Sequence, residues 1–363
     1  MKVLSVIHSF PDNYILVARF KKIISNPDID YKVFCFNSSK KSWDFWGSQL
    51  PANSKEKIII SGVNNFKINP IKEFFLFMNF VFFDIKLVKK YFKFLGKISL
   101  VKKLKNLLND YKILQHQPDI LHFEFGTLAY QMIYLKDILD CKIVVSFRGY
   151  DINYYKLDDP NLYQEVWDKT DSFHFLGKDL YQRAIKRGFK IKKTQKVFFI
   201  SPAIDSEYFT KSNSKNSNTN YLKFITVSRI VWKKGIHYGI LAFKKFIENG
   251  GDGEYHVVGD GPNMQELMFT AFENDILNKV ILHGKIKPER IKDILNESDV
   301  YIQPSISEGF CNAVIEAQSM RLPVICTNAD GLSENIADKE TGFVVPKWDY
   351  ESIADKMIYL SQN

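Results

Sequence analysis

Two glutamates raise the first chemical question. Glu308 and Glu316 stand eight residues apart in SEGFCNAVIEA, with Gly309 directly after the first. The apolar run Val300–Gln303 stops at Pro304-Ser305, so a loop carries Glu308 and a helix starting near Asn312 carries Glu316. Eight residues make a little over two turns at about 3.6 residues each, which keeps the second carboxylate on a face near the first. Gly309 lets backbone approach a ligand, N–H groups at a helix start hold an anion, and Ser307 and Asn312 are candidate caps. Carboxylates accept from polyol hydroxyls, whereas N–H groups donate to phosphate oxygens, so the pattern fits a phosphate-plus-polyol ligand. Two further strand ends belong with it. SRIVWKKG (Ser228–Gly235) sets Arg229 and Lys234 five apart, a guanidinium fork and a point charge suited to phosphate. VVGDGP (Val257–Pro262) ends in a turn where Gly259 and Gly261 clear backbone for a flat base or ribose. Each feature alone is also what a solvated surface or an ordinary turn gives; three strand ends in one stretch make coincidence a poor account.

These residues need a scaffold that brings strand ends together. Short runs rich in Val and Ile alternate with stretches of helical period. Expected strands are Val3–His8, Tyr31–Phe36, Ile58–Ser61, Ile120–Phe123, Lys142–Phe147, Ser172–Leu176 and Lys196–Ile200. After the polar stretch KSNSKNSNTN (Lys211–Asn220) a second series follows: Phe224–Ser228, Glu254–Val258, Val280–His283, Val300–Gln303, Pro323–Cys326 and Gly342–Val345. Expected helices include Ile236–Asn249, Met264–Asn274, Pro288–Glu297, Asn312–Arg321 and Tyr350–Leu360. Continuous apolar strands separated by helices predict parallel sheets covered on both faces, and two series predict an α/β chain of two doubly wound, Rossmann-like domains. The expected division is 1–205 and 206–363. In such sheets ligands gather beyond the carboxyl ends of the strands, where the residues above lie.

Composition narrows the classes. A chain of 363 residues fits two domains at roughly 150 each. With 45% hydrophobic and 25% charged residues it is globular, not disordered. Lys+Arg 50 against Asp+Glu 41 gives +9, which fits either an anionic partner or simple lysine-rich usage. Cys35, Cys141, Cys311 and Cys326 are too few for a disulfide scaffold and form no Cys-x-x-Cys pair. MKVLSVIHSF is too short for a signal peptide and reads as a first strand. FFLFMNFVFF (Phe74–Phe83) is ten residues long, and a spanning helix needs about 20. The expectation is a cytoplasmic chain, peripheral at the inner face of the plasma membrane.

Segment 71–108 carries that last point. Aromatic at first, it then holds Lys86, Lys89, Lys90, Lys93, Lys97, Lys102, Lys103 and Lys105, with no acidic residue after Asp84. Leu87, Tyr91, Phe94, Ile98, Val101, Leu104 and Leu108 recur at three- and four-residue steps. This predicts a basic amphipathic helix, or two with a break near Gly96. Such a helix suits an anionic membrane surface, where each lysine is worth about 1 kcal/mol, or else packs on its own domain.

As a set, SRIVWKKG, VVGDGP, PSISEGFCNAVIEAQSMRLPVICTNADGLSENI and TGFVV resemble the C-terminal half of glycosyltransferase family 4, GT-B fold, and bacterial surface-polysaccharide glycosyltransferases in particular. The resemblance is close from Phe224 to about Trp348 and loose elsewhere. It implies two domains facing across a cleft, a nucleotide-sugar donor on the second and a saccharide or lipid-linked acceptor on the first. It implies that Arg229 and Lys234 bind the donor diphosphate and stabilise the leaving charge in place of a metal, so no metal and no cofactor are expected. Glu316 would hold ribose hydroxyls. Glu308 would face the donor sugar with the backbone N–H groups of Gly309, Phe310, Cys311 and Asn312, and Gly259, Gly261 and Lys285 would border the base. The resemblance also implies retention of anomeric configuration.

The first half departs from the pattern. VVSFRGYD (Val144–Asp151) resembles a His-Gly-x-Asp segment with Arg148 at the His position and Asp151 kept, so both join the implied catalytic set. ILHFEFG (Ile120–Gly126) resembles a His-x-His strand end with Glu124 at the second position, and His122 also suits a core role. HSFPDNY (His8–Tyr14) has no Gly where a Gly-rich loop is common, and SPAIDSEYF (Ser201–Phe209) has Ala203 at a Gly position. Alternatives are a nucleotide-sugar epimerase of the same fold, for which no proton-shuttling pair is found, and a catalytically silent nucleotide-sugar-binding subunit, which Arg148 favours and the second-half residues oppose. No Gly-x-Gly-x-x-Gly follows the first strand, against a nicotinamide dehydrogenase. The lysines gather on one amphipathic segment without base-stacking repeats, against a nucleic-acid binder.

Overall fold

The computed structural model describes residues 1–11, 14–47, 50–61, 69–212 and 221–362. Asp12 and Asn13 of the His8–Tyr14 segment, and 213–220 of the polar stretch, lie outside the described residues. Contacts divide the chain into two compact units, Met1–Phe175 with Tyr181–Ile200, and Leu176–Leu180 with Ser201–Asn363. The division falls a few residues before the expected 205/206.

The first unit holds β1 (Lys2–Ser9), β2 (Asp30–Asn37), β3 (Ile58–Ile60), β4 (Ile120–Phe123), β5 (Lys142–Phe147), β6 (Ser172–Phe175) and β7 (Lys196–Phe199). They form one sheet in the order β3-β2-β1-β4-β5-β6-β7, parallel throughout. The second unit holds β8 (Tyr221–Val227), β9 (Asp252–Val258), β10 (Val280–Gly284), β11 (Val300–Gln303), β12 (Val324–Thr327) and β13 (Gly342–Val345). Its order is β10-β9-β8-β11-β12-β13, again parallel. In each sheet the chain runs outward in one direction from the first strand, then crosses back to the other side. The point of reversal lies between β1 and β4 in one unit and between β8 and β11 in the other, the place where such folds bind ligands.

Burial explains why these runs become strands. All four residues of β11 and all four of β12 are buried, as a sheet covered on both faces requires. Alternation divides them between two cores: Phe224 and Ile302 pack with the helices Ile236–Glu248 and Tyr350–Gln362, whereas Ile225, Tyr301 and Val324 pack with the helix Asn312–Ser319. Val314 and Ala317 fix that last helix to the sheet. This sets the face on which Glu316 emerges.

Segment 71–108 differs from the single or once-broken helix expected. It belongs to three helices, Pro70–Phe83, Ile85–Phe94 and Leu100–His116. Asp84 and Gly96 interrupt them; Gly96 has φ +61, a conformation that suits glycine. The breaks split the apolar stripe. Tyr91 is buried, but Phe94, Ile98, Val101, Leu104 and Leu108 are exposed. No described helix is long and apolar enough to cross a membrane.

Candidate active site at the sheet reversals

Buried polar contacts shape the loop after β11 before any ligand arrives. The Tyr301 hydroxyl lies 2.9 Å from Gln303 Oε1 and 3.1 Å from the Val227 carbonyl, tying β11 to the end of β8. Gln303 Nε2 donates to Ser305 Oγ at 2.8 Å, and Thr327 Oγ1 donates to the Ser305 carbonyl at 2.5 Å. Ser307 Oγ donates to Asp330, whose Oδ2 also accepts the Glu308 N–H at 3.2 Å. Asp330 is thus the brace of the Glu308 loop. Ser307 therefore serves Asp330 and caps no helix, while Asn312 is the first residue of the helix, with Cys311 in the cap position.

On the facing side, a tight turn at Trp232–Lys234 ends in Gly235, φ +56. A Cβ on Gly235 would lie 2.2 Å from the Pro304 carbonyl, so only glycine lets this turn pack on the start of the Glu308 loop. The Lys233 carbonyl accepts the Ile306 N–H at 2.8 Å, locking the two segments together. Lys234 Nζ consequently pairs with Glu308 Oε2, with both side chains nearly buried. Burial works against the Lys234 charge, but the Glu308 carboxylate outweighs it and holds the Lys234 pKa above its ordinary value. Lys233 shows the reverse balance, its pKa lowered by burial, despite Glu308, with Lys234 and Arg229 adding repulsion.

Arg229 is exposed, and no described residue bonds its guanidinium. Its loop is stitched to the turn after β9: the Ile230 N–H donates to the Asp260 carbonyl at 2.9 Å. Here the glycines have a different reason from the one expected. A Cβ on Gly259 would lie 1.8 Å from the Ser228 carbonyl, and one on Gly261 would lie 2.0 Å from that of Ile230. Their bareness admits the Arg229 loop rather than open space for a base. The Gly259 N–H in turn donates to the Gly284 carbonyl at 3.0 Å, which brings the exposed Lys285 to the same edge.

Glu316 makes no hydrogen bond to a described residue, and burial pushes its pKa up to about 7. One shared neighbour relates it to the other groups. The buried Cys311 thiol, itself pushed up to about 12 by burial, feels the charges of Lys234, Glu308 and Glu316. Lys234 in turn feels Arg229. Arg229, Lys234, Glu308 and Glu316 are therefore brought to one end of one sheet, with the backbone of Gly309, Phe310 and Asn312 between Glu308 and the helix start. Sequence reasoning missed Lys233 and Asp330. Lys233 carries no signal beyond lying beside Lys234, and Asp330 reads as part of an ordinary Asn-Ala-Asp-Gly turn.

The corresponding edge of the first unit is more fully tied up. Glu124, directly after β4, is buried and accepts from Arg19 Nη2 at 2.6 Å and Arg148 Nη2 at 3.3 Å. Burial raises its pKa, but His122, Arg19 and Arg148 together hold it down at about 2. Arg148 thus pairs through its side chain with Glu124, while its backbone N–H donates to Asp151 Oδ2 at 2.8 Å. Asp151, fully buried, also accepts the Thr127 N–H at 3.1 Å. His122 is a partly buried sheet residue: its Nε2 meets Ser146 Oγ at 2.8 Å, which meets His174 Nδ1 at 2.8 Å. Arg19 was invisible to motif reading because it sits on the helix Tyr14–Ile24, far from Glu124 in sequence. No group of three or more His, Cys, Asp or Glu placed to hold a metal occurs among the described residues.

Comparison with known proteins finds relatives that share part of this chain. Residues 207–363 match the family described as glycosyl transferases group 1. The chain is 27% identical over 256 residues to the amylovoran biosynthesis glycosyltransferase AmsK of Erwinia amylovora, covering 67% of this chain and 61% of that one. It is 27% identical over 261 residues to the putative colanic acid biosynthesis glycosyltransferase WcaL of Escherichia coli K12, covering 68% and 62%. The chain therefore spans about three fifths of the length of these relatives. Among solved structures, Anabaena Alr3699/HepE in complex with UDP and glucose superposes with a TM-score of 0.71 at 15% identity, over 99% of this chain and 89% of that one. That likeness is one of fold, the two doubly wound units of the GT-B type. Through residues 207–363 the chain is similar to the glycosyl transferases group 1 family.

Proposed function

We propose that the chain transfers a sugar from a nucleotide-sugar donor to a saccharide or lipid-linked saccharide acceptor in surface-polysaccharide synthesis. The observation that carries this is the Lys234–Glu308 pair beside Glu316, a half-buried carboxyl with no hydrogen-bond partner among the described residues. Near pH 7 such a group both accepts from and donates to hydroxyls, which suits the vicinal pair of a ribose. Arg229 and Lys234 would take the diphosphate, and the charge growing on it as the glycosidic bond breaks is what they stabilise. Glu308, positioned by Lys234 and Asp330, would face the donor sugar, with the N–H groups of Gly309 to Asn312 toward the phosphates. Lys285 would lie at the base edge. The first unit would supply the acceptor, near Arg148 and Asp151. The reaction is proposed to be retaining and metal-independent. The names of the relatives support the pathway, and HepE, solved with UDP and glucose, supports UDP as the first nucleotide to try.

Segment 71–108 fits a membrane-facing role for the acceptor side. Phe74, Phe75, Phe82, Phe83, Leu100 and Val101 are all exposed, as are Lys86, Lys89, Lys93 and Lys97. Lys90 is exposed as well, but its Nζ donates to the Ile138 carbonyl at 2.6 Å. Aromatic rings beside lysines suit the headgroup layer of an anionic bilayer.

The test is a thermal-shift panel of nucleoside diphosphates and their sugars, followed by transfer assays with the stabilising donor. Stabilisation by one nucleotide class and turnover in the presence of chelator are expected. No stabilisation by any of them would refute the reading, and loss of turnover on chelation would refute its metal-free part. NMR of the product anomer decides retention. Sedimentation with phosphatidylglycerol vesicles should fall when Lys89, Lys93 and Lys97 become Glu; unchanged sedimentation removes the membrane role.

A further inference from the structure

At the carboxyl edge of the first sheet, two guanidiniums share one carboxylate. Arg19 takes Glu124 Oε1 at 2.6 Å, and Arg148 takes Oε2 at the longer distance of 3.3 Å. A guanidinium has five N–H donors, so Arg148 leaves most of its fork unused; no other described residue accepts from it. Its side chain is 21% exposed and Glu124 only 2%, so the pair opens to solvent on the Arg148 side and not at the carboxylate. Asp151 does not balance the charge through the fork, because its oxygens serve the backbone N–H groups of Arg148 and Thr127. His122 and His174 add no negative charge, and burial lowers the pKa of each, leaving both neutral at pH 7. Burial also pulls the Arg148 pKa below its ordinary value, with Glu124 and the charge of Asp151 opposing and Arg19 adding to the fall. Through its fork Arg148 thus meets one carboxylate oxygen, at a long distance, and most of its donors have no acceptor among the described residues. Two residues on, Tyr150 is 55% exposed.

We infer that Arg148, with Arg19 behind it, forms an anion subsite for the carboxylate or phosphate group of a negatively charged saccharide. The saccharide part rests on the transferase reading above; the anion part rests on the geometry of the first unit. A planar fork matches the paired oxygens of either group, and an enclosed cation is screened little by salt. Arg19 is the positioning residue: by holding Oε1 it leaves Arg148 only the weaker contact, and so a fork free to turn to a ligand.

Ligand-observed NMR at fixed ionic strength tests it, with glucuronate, glucose 6-phosphate, glucose and inorganic phosphate as probes. Both charged sugars should bind about tenfold or more tighter than glucose, equivalent to about 1.4 kcal/mol. The tighter of the two distinguishes carboxylate from phosphate. Arg148→Gln should erase the preference and Arg148→Lys should keep part of it, since charge remains without the fork. Equal binding of glucose and glucuronate in the wild type would overturn the subsite, as would a preference that survives Arg148→Gln. Inorganic phosphate binding as tightly as glucose 6-phosphate would overturn its assignment to a saccharide. A UDP-induced thermal shift, measured in parallel, reports on the second unit. Its absence from the wild type would sink the transferase reading while leaving the anion result to stand or fall separately.

Discussion

The two sheets follow the same winding, and at each reversal a buried carboxylate meets a cation, yet the balance differs. In the second unit Lys234 answers Glu308 one to one, and Glu316 is left without a partner at a pKa of about 7. In the first unit Arg19 and Arg148 both answer Glu124, whose pKa falls to about 2. The second edge therefore keeps a carboxyl without a hydrogen-bond partner among the described residues, beside the exposed Arg229, whereas the first keeps a guanidinium fork that is only partly used. The shared scaffold decides where ligands sit; the groups left without partners decide which chemistry each edge can offer, hydroxyls together with phosphate in one case and a single anionic group in the other.

This difference depends most heavily on Lys234. Lys234→Ala leaves Glu308 enclosed without its cation, which costs about 3 kcal/mol in denaturant unfolding. A loss below about 1 kcal/mol would mean the pair is solvated and not the keystone described. Lys234→Met with Glu308→Leu should recover much of the stability while nucleotide binding stays lost.

Next in size is the opposite pH response of the two glutamates. Glu316 has a folded pKa raised above its unfolded value near 4.5, so its contribution is complete below about pH 4.5 and fades as pH rises through 7. At about 1.4 kcal/mol per unit, Glu316→Gln should gain about 2–3 kcal/mol relative to wild type between pH 5 and pH 8. Equal pH profiles would show that Glu316 is not enclosed. Glu124 runs the other way. Its folded pKa is depressed to about 2, so its contribution is present above about 4.5 and is lost as pH falls toward 2. Because Arg19 is one-third exposed, a loss of about 1–2 kcal/mol over that acid range is expected, absent in Glu124→Gln. Smallest is the effect of Arg148→Gln on stability, less than about 1 kcal/mol, since its contact is long and partly solvated. A larger loss would move Arg148 from ligand subsite to structural pillar.

Much of this architecture is legible in the sequence, because parallel strands buried on both faces write themselves as continuous apolar runs. Strands such as Val300–Gln303 and Gly342–Val345 coincide with the expectation residue for residue. Arg229, Lys234, Glu308 and Glu316 are legible because strand ends are where this fold gathers its chemistry. Long-range partners are not. That Arg148 answers Glu124 depends on β4 lying beside β5, and that Arg19 joins them depends on a helix docking after β1. Nor could spacing tell that Gly259 and Gly261 make way for neighbouring carbonyls. In segment 71–108 the three- and four-residue rhythm hides two breaks, at Asp84 and Gly96, because a short interruption barely disturbs an apolar count.

Above all, the reversal point of the second sheet should hold a nucleoside diphosphate. Titration calorimetry of UDP into wild type and Arg229→Ala examines this, since Arg229 is exposed, bonds no described residue and can be removed without disturbing the fold. Binding to the wild type, weakened about tenfold or more in a variant of unchanged melting temperature, is the expected result. Equal affinity in the two proteins would contradict it.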